Sequence, residues 1–229
     1  MMENMPRAEV WAAIHRERTA LAEGLAELTP DQWAARSLCG QWTVEEVVAH
    51  LTAAASTGRW RWIRSMAGAR FDPDLHNQRR MLEQRGAGPD ETLARFRAVV
   101  TSTTAPSGHT PAWLGEVVVH GEDIRRPLGL PGTPELAAVT EVARFFAERD
   151  FTVAGRTIRK GLHLVATDGP FDIGAGPEVR GSTLALVMAM AGRTDYCDEL
   201  TGPGVPTLRS RIADRRPRSG GGRAADALP

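Results

Sequence analysis

The sequence predicts a mainly helical α+β protein: a four-helix bundle over residues 7–130, a small α/β unit over 131–212 and a disordered tail over 213–229. Three observations carry this expectation. Apolar residues recur at helical spacing in successive segments before residue 130, separated by Pro, Gly and capping residues. Around residue 165 an apolar strand, an Asp168-Gly169-Pro170 turn and a second strand follow one another, and then an apolar helix. The end of the chain, from Arg215, is basic, Gly-rich and holds Pro, with no apolar pattern.

Within the first segment Val10, Trp11, Ile14, Leu21, Leu25 and Leu28 share one face, predicting a helix over 7–28 ended by Thr29-Pro30. His15, at the edge of that face, reads as a half-exposed surface residue. Trp33 to Trp42 reads as a connection with aromatic anchors. Thr43-Val44-Glu45-Glu46 is a capping box that opens a second helix, with Val44, Val47, Val48, Leu51, Ala54, Ala55 and Trp62 as its stripe and His50 on the flank. From 64 to 88 the pattern breaks into Gly, Pro, Asp, Asn and Arg, and reads as a long connection of the kind that lids a site or is mobile. His76, Asn77 and Arg79 are its candidate functional groups, against a default of solvated loop.

Pro89-Asp90 opens a third helix with Leu93, Phe96, Val99 and Val100 inward, and 102–110 links it to a fourth. Pro134 begins a helix running to about Asp150, with Leu136, Val139, Val142, Phe145 and Phe146 inward. Leu162 to Thr167 and Phe171-Asp172-Ile173 predict paired strands. Gly174-Ala175-Gly176 lacks the spacing of a dinucleotide fingerprint and reads as a hairpin end. Ser182 to Ala191 predicts an apolar helix, and Thr201 to Leu208 a Gly/Pro-broken segment with a short edge strand.

Composition bounds the function. Acidic and basic residues cancel at 28 each, so no strong global field draws nucleic acid or an anionic membrane. Cys39 and Cys197, the two cysteines, lack the spacing of a zinc knuckle or a redox pair and read as reduced intracellular thiols. No apolar run approaches a membrane span, and the N-terminus has no apolar leader core, so a cytoplasmic location is expected.

The fourth helix has a problem built into its buried face. Thr110-Pro111 starts it and Pro127 with Gly129 stops it. Trp113, Val117 and Ile124 share a stripe, and Glu116 and His120 fall on or beside that stripe, opposite a polar side held by Glu122 and Arg126. A buried carboxylate needs a cation, a hydrogen-bond network or a metal to offset the loss of water. Residues four apart on a helix converge well enough to share one ion, but Glu-x-x-x-His alone is weak, and mutual hydrogen bonding or an arginine partner is the commoner arrangement. A third ligand changes that balance.

Three stretches resemble one family: Ser37-Leu38-Cys39-Gly40-Gln41-Trp42-Thr43-Val44-Glu45-Glu46-Val47-Val48-Ala49-His50-Leu51; the run from Glu116 to Gly129 with its His-Gly-Glu-Asp-Ile-Arg-Arg-Pro core; and, more loosely, Gly161 to Leu200. The chain resembles the mycothiol-dependent maleylpyruvate isomerase family, whose N-terminal part belongs to the DinB-like metal-binding four-helix bundles and whose C-terminal part is a small α/β (SCP2-like) domain. Gly40-Gln41 departs from the Pro-Gly that often precedes the Trp, a change in a turn.

The resemblance implies a divalent metal, zinc in most of the family, held by His50, Glu116 and His120, the trio that includes both residues singled out by the helical face. Three protein ligands leave one position open, as in a catalytic zinc site. It further implies mycothiol, a low-molecular-weight thiol, as cosubstrate. Its thiolate adds to the cis double bond of maleylpyruvate, permits rotation and leaves again, or, in transferase relatives, attacks an electrophile and stays attached. Arg193, following an apolar helix, matches the family's catalytic arginine, although a helix-end role is equally open. Asp123 is a candidate partner for His120, and Arg125 and Arg126 read as helix C-terminal charges. The expected partners are a small electrophile and the thiol, without nucleic acid or membrane, in a monomer or homodimer. The competing reading is a non-catalytic metal-binding or regulatory module that keeps the bundle.

Overall fold

The computed structural model describes residues 5–40 and 42–215. Helices α1 (Arg7–Leu25), α3 (Val44–Ser56), α6 (Pro89–Arg97) and α7 (Thr110–Leu128) pack around a common core, with α2 (Pro30–Ala34) leading into α3. The architecture is mainly helical with a small sheet, as the sequence predicts. Its local signals hold at the start of α3, where Thr43 Oγ1 accepts from the Glu46 amide at 3.3 Å and Glu46 Oε2 accepts from the Thr43 amide at 2.9 Å. Thr29-Pro30 does more than end the first helix: Thr29 caps α2 through a second capping box with Gln32.

The stretch from 64 to 88 is not an irregular connection. It holds the end of α4 (Arg59–Gly68) and all of α5 (Pro73–Gln84), which lies along α3. Asp72 starts α5 by accepting from the amides of Asp74 and Leu75 at 2.9 and 3.1 Å, with Pro73 at the first helical position. Only His76 and Met81 of α5 are buried, so its apolar stripe is too thin to stand out in the sequence. Trp62 is therefore on α4, beyond a break at Thr57-Gly58, and not on the second helix.

Two further expectations change. Glu122, placed on a polar side of α7, is buried, because α1 and the C-terminal segment cover that side as well. Pro127 lies inside the last turn of α7, and Gly129 at φ +61° supplies the left-handed residue that ends it.

Beyond residue 130, α8 (Leu136–Glu148) and the short α9 (Gly155–Ile158) lead to a three-stranded sheet of order β2-β1-β3. β1 (His163–Ala166) pairs antiparallel with β2 (Asp172–Gly174), as expected, and parallel with β3 (Glu178–Gly181), which the sequence pattern did not reveal. α10 (Thr183–Met190) is the expected apolar helix, capped by Ser182. It is followed by a 3-10 helix, Thr194–Glu199, and by α11 (Val205–Ala213) where a broken segment was expected. The expected edge strand is reduced to one bridge, Arg180 with Thr201. From residue 216 the expected disordered tail lies outside the described residues, and α11 reaches to its first residue. One apolar cluster runs from Val10 to Ile212, so a boundary near 130 rests on the change of architecture there, and we retain it as a proposal. Among the described residues no helix is long and apolar enough to cross a membrane.

The contact of α7 with α8 fixes the height of Glu116. Gly115 faces Phe146, whose ring would lie 2.7 Å from an added Cβ, and Phe146 is itself fully buried. Gly115→Ala is expected to cost about 1–3 kcal/mol, the usual penalty of overpacking. That corresponds to a fall in Tm of roughly 2–12 °C. An unchanged Tm would show that α7 and α8 yield at this point.

Candidate metal and thiol site

α3 and α7 bring His50, Glu116 and His120 together, with one donor atom from each within 4.8 Å of the others. His50 Nε2 donates to Glu116 Oε1 at 2.6 Å, and His120 Nε2 lies 3.6 Å from the same oxygen. Glu116 has no arginine within ion-pair distance among the described residues. Arg18, the buried cation of α1, instead donates to the carbonyls of Val99 and Ser102 past the end of α6. Burial penalises charge at Glu116, but the His120 and His50 imidazoles beside it outweigh this and hold the carboxyl well below its usual range.

His120 is fixed from behind. Its Nδ1 donates to Asp123 Oδ2 at 2.9 Å, leaving Nε2 for the cleft. Burial opposes the imidazolium, but the hydrogen bond to Asp123 and the nearby Cys39 and Glu116 raise its pKa well above the usual value. Asp123 is fully buried and also receives Arg193, Nε to Oδ1 at 2.9 Å and an amino group to Oδ2 at 2.5 Å. A third N–H of Arg193 donates to the Ala191 carbonyl at 2.6 Å. Arg193 thus lies in the cleft wall, held by Asp123, with two of its five N–H groups uncommitted.

The loop before α3 closes the cleft. Ser37 Oγ donates to the Trp42 carbonyl at 2.8 Å and accepts from the Cys39 amide at 3.1 Å, while Gly40 takes φ +61°. The Leu38 amide donates to the Asp123 carbonyl at 3.0 Å, tying this loop to α7. Trp42 packs on His50 with ring centroids 4.9 Å apart. Cys39 comes to within 4.8 Å of donor atoms of His120 and Asp123, a proximity that its isolated position in the sequence did not signal. Cys39, Trp42, His50, Glu116 and His120, with Asn77, Phe146 and Arg193, line a cleft of about 610 Å³, within the range of small-molecule sites.

Arg125 and Arg126 point elsewhere. Arg125 is buried against Glu122 at 3.3 Å and Glu17 at 4.0 Å, and Arg126 pairs with Glu199 and lies over the Tyr196 ring at 4.1 Å. Both tie α7 to its neighbours. His15 and His163 also lie outside the cleft, the latter bonded to Asp172 at 2.7 Å.

The donor set suits a divalent ion. Two imidazoles and one carboxylate on an open cleft form the ligand set of a catalytic zinc, and the 3.6 Å separation of His120 from Glu116 is near the roughly 3.3 Å edge of a tetrahedron with bonds of about 2.0–2.1 Å. The 2.6 Å His50–Glu116 contact is a hydrogen bond, which an ion would replace. Among the described residues His50 Nδ1 is buried without a partner, so Trp42 packing and the Nε2 bond to Glu116 orient that ring.

Asp123→Asn removes the charge that His120 and Arg193 share and is expected to destabilise by about 3–5 kcal/mol, since Arg193 loses its buried partner. The Asp123 carboxyl is held below its usual range: burial acts against this, but the bonds from His120 and Arg193 prevail. Its contribution is therefore complete above the unfolded carboxyl pKa near 3.9 and is lost as pH falls through the lower folded value. Urea unfolding at pH 7 and at successively lower pH should show the gap between wild type and variant closing. A gap that stays constant would place the stabilisation elsewhere.

Residues 14–111 match the family model described as the mycothiol maleylpyruvate isomerase N-terminal domain, a span that includes His50 but ends before Glu116. Two crystal structures share the fold. The mycothiol-dependent maleylpyruvate isomerase superposes with a TM-score of 0.62 at 17% identity, and a histidine-to-alanine variant of it with 0.63 at 16%. Each match covers 88% of this chain and 96% of the other. Comparison with curated proteins gives no match. The chain therefore matches the mycothiol maleylpyruvate isomerase N-terminal domain model over residues 14–111 and shares the overall fold of the mycothiol-dependent maleylpyruvate isomerase.

Proposed function

We infer that this protein is an enzyme that uses a divalent metal, zinc by donor type, to present mycothiol as a thiolate to a small electrophile. The outcome is either maleylpyruvate-like cis-trans isomerisation or S-transfer. The observation that carries the reading is the convergence of His50, Glu116 and His120 on one cleft, with His120 held by a buried carboxylate. A non-catalytic scaffold has no evident use for burying these groups around an open cavity.

Each residue has a distinct part. His50, Glu116 and His120 hold the ion, and Glu116 supplies the negative charge that offsets part of it. Asp123 keeps the His120 Nδ1 proton in place, so Nε2 faces the cleft, where an ion would take the place of its proton. Arg193 neutralises Asp123 and, through its uncommitted N–H groups, aids an anionic substrate. The ion, when bound, favours the thiolate form of a thiol near neutral pH. A thiolate that adds to a double bond and leaves again returns its electron pair unchanged, so isomerisation consumes no thiol; S-transfer consumes one per turnover.

Purified protein is expected to carry about one divalent ion per chain, and His50→Ala or His120→Ala to remove most of it, since two donors hold an exchangeable ion poorly. Elemental analysis reads this directly, and retention of wild-type metal by both variants would refute the assignment. Glu116→Gln keeps shape but loses charge, so metal affinity and mycothiol-dependent turnover should fall together. Parallel assays with maleylpyruvate and an alkylating electrophile, following free thiol, separate isomerisation from transfer.

A further inference from the structure

Acidic and basic residues cancel over the whole chain, but not locally. Residues 58–71, which hold α4 and the turn after it, contain Arg59, Arg61, Arg64 and Arg70 and no acidic residue. The same stretch carries the two most exposed large apolar side chains among the described residues, Trp60 at 80% and Phe71 at 74%. Ile63 and, on α5, Leu82 are exposed as well. α4 buries one side chain, Met66, so core packing does not account for its apolar residues. At 100° per residue, Ile63, Trp60 and Arg64 fall on one outward arc of about 100°. Arg59 lies over the Trp60 ring at 5.9 Å, so cation and ring are presented together. Arg70 and Phe71 both take positive φ, +54° and +61°, a costly pair of left-handed residues that holds Phe71 out in water.

Beside this face, α4 and α5 border a hollow of about 650 Å³ whose walls include Arg61, Arg64, Arg79 and Arg80. Glu83 is the one acidic side chain lining it among the described residues, and Arg61 and Arg80 share it. Arg79 donates to the Gly68 carbonyl at 2.9 Å. The side chains of Arg64 and Arg70 have no hydrogen bond or ion pair among the described residues.

We propose that α4 and the adjoining face of α5 dock this protein on an anionic lipid bilayer, with Trp60, Ile63 and Phe71 entering the headgroup boundary and Arg61, Arg64 and Arg70 meeting lipid phosphates. This goes beyond the function proposed above and does not depend on it. Arginine mixed with aromatic and aliphatic side chains on a helix with almost no core contact is the composition of a helix that lies in an interface. α4 has 10 residues, which at 1.5 Å per residue is about half of the roughly 30 Å hydrocarbon layer, so it lies on the membrane and does not cross it. A second copy would set the same uncompensated arginines against one another, which disfavours a symmetric dimer here. The tail beyond residue 215 has Arg216, Arg218 and Arg223 against Asp226, the wrong sign to cover a basic face. Nucleic acid shares the phosphates but offers no apolar layer to Ile63 and Leu82. Asn77 and Gln78 of α5 line the cleft, so docking places the cleft one helix away from the lipid.

The test is flotation of the full chain with vesicles of phosphatidylcholine alone or mixed with phosphatidylglycerol, at low and at high salt. Wild type should bind the mixed vesicles with a blue shift of tryptophan emission, bind the neutral ones roughly tenfold more weakly, and release as salt rises. Arg64→Gln with Arg70→Gln, which leaves no group of the fold unpaired, should weaken binding to mixed vesicles roughly tenfold. Trp60→Ser with Phe71→Asn should weaken it too and abolish the blue shift, asparagine being tolerated at positive φ. Arg180→Gln, on the exposed side of β3, should leave binding unchanged. Equal binding to neutral and mixed vesicles, or binding to mixed vesicles that neither double variant alters, overturns the proposal. Failure to float with either vesicle overturns it as well; a single-stranded oligonucleotide, inorganic phosphate, and sedimentation of the chain alone then identify nucleic acid, a free anion or a second copy as the occupant.

Discussion

The buried carboxylate of Asp123 is the interaction on which this site depends. It has no exposure, so water cannot solvate its charge, and it must be met by protein donors. His120 meets it from one turn earlier on α7, and Arg193 from beyond the end of α10. The backbone of the same residue receives the Leu38 amide. One residue thereby locks the cleft wall on α7, the loop that carries Cys39, and the C-terminal segment into a single arrangement. Neighbouring residues reinforce the joint, since Glu122 accepts from Tyr196 and Arg126 pairs with Glu199, both on the 3-10 helix that follows Arg193. The segment beyond residue 130 is therefore part of the site and not an appendage to the bundle.

The face argument for α7 was legible because Glu116 and His120 break an apolar stripe, and such a break has few physical explanations. His50 was not singled out by periodicity alone; the resemblance of the stretch from Ser37 to Leu51 gave it meaning. What the sequence hid follows from one cause, burial that does not come from an amphipathic stripe. α5 is almost wholly polar and buries two residues, so its helical period is weak, although Asp72-Pro73 marks its start in capping chemistry. β3 is short, and its pairing with β1 is parallel and non-local, so no turn residue announces it. Glu122 was misplaced for the opposite reason: α7 is covered on several sides, and a helix packed all round has no polar face to assign. Cys39 and His120 are distant in sequence, and only the folded loop from Ser37 to Trp42 brings them together.

The two walls of the cleft are built differently, and this bears on what each can do. On the α7 side, each charge answers another, from Glu116 through His120 and Asp123 to Arg193, at separations of 3.6, 2.9 and 2.5 Å between largely buried groups. Such a chain has little freedom, because moving one member leaves its partner unpaired at a cost of several kcal/mol. It suits groups that must hold a fixed geometry, as metal ligands do.

The α3 and α5 side is held by contact more than by charge. His50 is oriented by Trp42 and packs edge-on to His120 with centroids 5.0 Å apart, and its own Nδ1 has no partner. His76 packs against Trp62, which is itself 39% exposed on α4, a helix with one buried residue. α3 itself is packed on most sides, whereas α4 and α5 bury one and two residues, so substitution on these two outer helices costs the core little. Under the function proposed, α3 and α7 keep the candidate ligands His50, Glu116 and His120 in fixed positions, while α5 can change with little effect on them.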